Sequence, residues 1–84
     1  MMYTISTPDE YKEYFQRSQD MIINRWMKDI QCDLLAGRSN LNFKVPDGLS
    51  EDSLSTVIEY LQHRGWRVNP MLHQNKIVKI SLAM

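Results

Sequence analysis

Between Pro8 and Gly37 the chain carries no glycine and no proline, and both ends of that stretch are punctuated as helix ends. Thr7-Pro8-Asp9-Glu10 reads as a start: a threonine N-cap, proline at the first helical position and a glutamate placed to reach back as a capping box. Gly37 supplies the stop, because it adopts the left-handed conformation that closes a helix. The spacing predicts one helix over 7–37, about 40 Å long at 1.5 Å per residue. Few domains of 84 residues can cover a rod of that length.

Within it the apolar pattern changes partway. Ile22, Ile23, Trp26, Met27, Ile30 and Leu34 recur at helical spacing as one broad stripe, which is expected to pack on the body of the domain. Tyr11, Tyr14 and Phe15 lie about a quarter turn away at ~100° per residue. Arg17, Ser18, Gln19 and Asp20 separate the two groups and read as exposed. The N-terminal half is therefore expected to project, or to be covered by something else. Before it, residues 1–6 read as an extended arm. Tyr3 and Ile5 alternate with polar neighbours, which permits an edge strand folding back over the aromatic cluster.

Beyond a Gly37-Arg38-Ser39-Asn40 loop, Leu41 to Val45 alternates as a half-buried strand, and Pro46-Asp47-Gly48 is a turn. Ser50 caps a second helix with Glu51 and Asp52 in its first turn, and Leu49 is placed to staple onto Leu54. Leu54, Val57, Ile58 and Leu61 form its buried stripe, and Gly65 ends it. Trp66 to Asn69 alternates again, with Pro70 limiting that strand or placing it at an edge. His73-Gln74-Asn75 is a hairpin tip, and Lys76 to Leu82 is the last and most apolar strand. The order is α-β-α-β-β.

Inserting the last strand between the other two makes neighbouring pairs antiparallel and keeps the crossover right-handed. The expectation is one α+β domain over 1–84: a two-layer sandwich with a 7–37 helix and a 41–84 β-α-β-β unit. Its three-stranded, mostly antiparallel sheet has order 1-3-2, and both helices lie on one face.

That arrangement leaves one sheet face uncovered, presenting Asn42, Lys44, Arg67, Asn69, Lys79 and Ser81: three cations and no acid. Such a face suits nucleic acid, but the strand aromatics Phe43 and Trp66 fall on the buried side, and the alternative is a plain solvated face. The second candidate surface is Tyr11, Tyr14 and Phe15, extended by Met21 and by Cys32, which is expected to be a partly buried thiol. Grouped aromatics on a polar helix suit contact with another protein, either a target or a second copy.

Chemistry is poorly represented. His63, His73 and Cys32 have no metal-ligand spacing, and there is no phosphate loop, paired-carboxylate motif or nucleophile elbow. Neither an enzyme nor a cofactor is expected. The single cysteine fits a reducing compartment. No secretory signal and no membrane-spanning run is read, so the expected location is the cytoplasm. Ten basic and ten acidic side chains cancel, which removes a global pull toward polyanions.

A helix ending "YLQHRGW" followed by a hairpin ending "KIVKISL" resembles the small accessory proteins of tailed bacteriophages. In those, a Tyr-Leu-x-x-x-Gly-aromatic helix end precedes a terminal β-hairpin. The likeness spans roughly residues 22 to 82 and concerns core and turn positions, so it carries over no functional residue. It implies a non-catalytic module that binds and modulates or inhibits a host protein, or counters a host defence. Self-association as a dimer is expected on other grounds, because pairing through the long helix hides apolar surface that a small monomer cannot. The alternatives are a small nucleic-acid-binding module on the basic sheet face, a nucleotide-signal sponge, and a minor virion component.

Overall fold

The computed structural model describes residues 4–84. Helix α1 (Pro8–Leu35) opens with the expected capping box: the Glu10 N–H donates to Thr7 Oγ1 at 3.2 Å, and the Thr7 N–H donates to Glu10 Oε1 at 3.2 Å. It closes as a Schellman motif. The Gly37 N–H donates to the Leu34 carbonyl at 3.1 Å and the Arg38 N–H to the Asp33 carbonyl at 3.3 Å, with Gly37 at φ 66°. Helix α2 (Glu51–His63) ends the same way, through Gly65 to Gln62 and Trp66 to Leu61, with Gly65 at φ 95°. The Trp66 indole then turns onto the core beside Leu61, the apolar contact that accompanies this motif.

Strands β1 (Asn42–Lys44), β2 (Arg67–His73) and β3 (Lys76–Ala83) form one antiparallel sheet in the order β1-β3-β2. This is the α+β arrangement expected, with β3 central. β1 is shorter than the alternation implied, although Leu41 and Val45 still bond to β3 through Leu82 N–H and Val78 C=O. β2 is longer. Pro70 does not end it but sits opposite Ile80, and the strand continues to His73 past a bulge between Met71 and Leu72. An edge strand leaves half its N–H groups unpaired in any case, so the missing proline donor is tolerated there. The tip is the two residues Gln74 and Asn75, both at positive φ (52° and 63°), the geometry of a type I′ turn.

The buried apolar side chains among the described residues are Trp26 and Ile30 of α1, Leu54, Val57 and Leu61 of α2, Phe43 of β1, and Ile80 and Leu82 of β3. Every one lies at or beyond position 26, so the first half of α1 adds nothing to the core. Thr4 through Ser18 are exposed without interruption, and Ile5 does not fold back over the aromatics. The arm expected at Tyr3 lies outside the described residues. The radius of gyration is 15.8 Å, against about 12 Å for a compact chain of this length. The molecule measures 56 × 29 × 22 Å, and the projecting half of α1 accounts for the elongation.

One residue of the separating segment departs from expectation. Gln19, predicted to be solvated with Arg17, Ser18 and Asp20, is 3% exposed. Its Nε2 donates to the Gly48 carbonyl at 2.8 Å, and its Oε1 accepts from the Ser50 N–H at 2.8 Å. A single amide side chain thus joins α1 to the loop that starts α2, and satisfies both backbone groups it covers.

Candidate functional site

Gln19 is the most N-terminal buried residue of α1 among the described residues. One turn beyond it on the same side of the helix is Phe15, and one turn further is Tyr11. The rings of Tyr11 and Phe15 stand 6.2 Å apart at 33°, an i, i+4 aromatic pair. Tyr14 lies beside them. Exposures are 61% for Tyr11, 48% for Tyr14, 42% for Phe15 and 73% for Met21. The two hydrogen bonds of Gln19, together with the packing of Trp26 and Ile30, orient α1 and so set the bearing of the aromatic cluster relative to the domain. Cys32, expected to be partly buried, is exposed.

The second surface is the open face of the sheet. The register sets Lys44 directly opposite Lys79, with Met71 on the other side of Lys79. The next row is polar from edge to edge: Asn42, Ser81, Asn69. Arg67 lies beyond it, opposite Ala83. Since side chains alternate across a strand and paired residues share a face, all of these project away from the helices. Ser81 and Ala83 are half-buried and the others exposed. Met71 joins this face because β2, the edge strand, runs on past Pro70, the second of the two readings Pro70 allowed.

Two concavities stand out among the described residues. A groove of about 570 Å³ runs between α1 and the end of α2, bordered by Lys28, Gln31, Tyr60, Arg64 and Trp66. A cleft of about 440 Å³ lies at the hairpin end of the sheet, walled by Val45, Leu49, Leu72 and Ile77. Neither is lined by a histidine or a cysteine. Among the described residues no group of three His, Cys, Asp or Glu side chains comes together to hold a metal ion, and no helix is long and apolar enough to cross a membrane. His63 ends α2 and His73 ends β2, both exposed. No family model, curated protein or solved structure matches the chain.

Proposed function

We propose that the chain is a non-catalytic protein-interaction module of the phage accessory type, which occupies a surface on a host protein through the projecting half of α1. Tyr11, Tyr14 and Phe15 are the anchors, with Met21 at their margin. One observation carries this reading: three aromatic side chains, 42–61% exposed, sit together on the segment of α1 that contributes nothing to the apolar core. Aromatic residues that pay little conformational entropy on docking dominate binding energy at protein interfaces. The same helix is also placed to pair with a second copy, and dimerisation would cover apolar area that a small monomer leaves wet.

A benzophenone photo-crosslinker in place of Tyr14 tests the assignment in bacterial lysate. The expected result is a discrete protein adduct that survives nuclease, absent when the same group replaces Glu59 on the exposed side of α2. Equal labelling from both positions, or labelling from Glu59 alone, would move the contact off α1.

A further inference from the structure

The open sheet face segregates charge in a chain whose overall charge is zero. Ten acidic residues are present, yet none occurs in β1, β2 or β3. Lys44 and Lys79 face each other on neighbouring strands. Directly opposed residues have Cβ atoms about 4.5–5.5 Å apart, and like charges there repel. Lys79 sits on the central strand, so both its lateral neighbours are fixed by the register: Lys44 on one side and Met71 on the other, neither of them a counter-charge. Arg67 pairs with Ala83, four residues along β3 from Lys79, or roughly 13 Å at the usual strand rise. Between the cations runs the Asn42–Ser81–Asn69 row, which supplies amide and hydroxyl hydrogen-bonding groups across the full width of the sheet.

We infer that this face binds the phosphate backbone of single-stranded nucleic acid. A phosphodiester strand laid across the sheet brings phosphates to Lys44 and Lys79 and continues to Arg67. The Asn42, Ser81 and Asn69 side chains then meet phosphate and sugar oxygens. An acidic protein partner fits less well. Protein interfaces are depleted of lysine at their centres, and this face offers only Met71 and Ala83 as apolar contact. Duplex recognition fits less well too, since nothing on the flat face enters a groove. Among the described residues the face carries no aromatic platform, so the bases are not stacked or read, and binding is independent of sequence. This inference goes beyond the α1 contact and rests on different residues, so either can fail alone.

The test is fluorescence anisotropy with labelled dT20 and dA20, on the full chain and on the Lys44→Glu/Lys79→Glu variant, with circular dichroism confirming the fold of each. The milder Lys44→Gln/Lys79→Gln variant serves if charge reversal perturbs the sheet. Three neutralised phosphates give a log–log salt slope of about −2 for a single strand, or roughly a 100-fold loss of affinity from 20 to 200 mM salt. The two oligonucleotides should bind within a few-fold of each other, and the folded variants should lose most of the binding. No binding at 20 mM salt, or binding unchanged in both variants, would overturn the inference. So would tighter binding to duplex DNA or to poly-glutamate, which would reassign the face to those partners.

Discussion

Ile80→Ala should lower the unfolding free energy by about 2–5 kcal/mol, the range for deleting the outer carbons of a buried isoleucine. Ile80 is 0% exposed and sits on the central strand, with Phe43 opposite it on one side and Pro70 on the other. The inner face of the sheet is thin, because β1 contributes three residues and only Phe43 of them is buried. Little is available to collapse into the space, so the loss should fall toward the upper part of that range. A chain of 84 residues is stabilised by about 4–13 kcal/mol at the usual value per residue. This one substitution therefore removes a large share of the margin. Urea unfolding followed by the fluorescence of buried Trp26 measures it. Ile80→Val, expected to cost about 0.5–1.5 kcal/mol, grades the effect. A cost below about 1 kcal/mol for Ile80→Ala would mean that the helices do not pack on β3 as described.

Gln19→Ala should cost about 2–3 kcal/mol, an unusual penalty for a polar residue in mid-helix. Removing the amide leaves the Ser50 N–H and the Gly48 carbonyl without their 2.8 Å partners. Each unsatisfied buried group costs about 1–3 kcal/mol, and solvent reaching exposed Gly48 offsets part of that. Gln19→Glu separates the two bonds: a carboxylate still accepts from Ser50 but cannot donate to Gly48. It should fall between wild type and Gln19→Ala in the same urea titration. If Gln19→Ala shifts stability by less than about 0.5 kcal/mol, the usual range for a surface substitution, the clamp is not holding α1 to the loop.

Much of the architecture was legible because local signals agreed with one another. The Thr7/Glu10 spacing, the glycines at 37 and 65, the alternation of Leu41–Val45 and the apolar run of β3 each specify an element or its end. The strand order then follows from handedness and from which strand is most apolar. What escaped were properties set by distant residues. Gln19 looks like a solvent-facing polar residue, and its burial depends on backbone groups 29 and 31 positions away. Pro70 left two readings open, a shortened strand or an edge; the edge holds, and the run of β2 past it brings Met71 onto the basic face. The aromatic cluster was readable from its rotation away from the core stripe. Its bearing relative to the domain was not, because that depends in part on the Gln19 hydrogen bonds to the Gly48–Ser50 loop.

The apolar core lies wholly beyond Gln19, and the contact proposed for α1 is centred before it, with Met21 at its margin. The most direct test is the Tyr14→Ala/Phe15→Ala variant, compared with wild type for urea stability and for capture of the protein that Tyr14 crosslinks. Both side chains are about half exposed on a helix segment outside the core, so the unfolding free energy should change by no more than about 0.5 kcal/mol. Capture should be lost. A stability loss of about 2 kcal/mol or more would place the aromatics within the fold itself, and capture retained at wild-type level would contradict the assignment of the contact to α1.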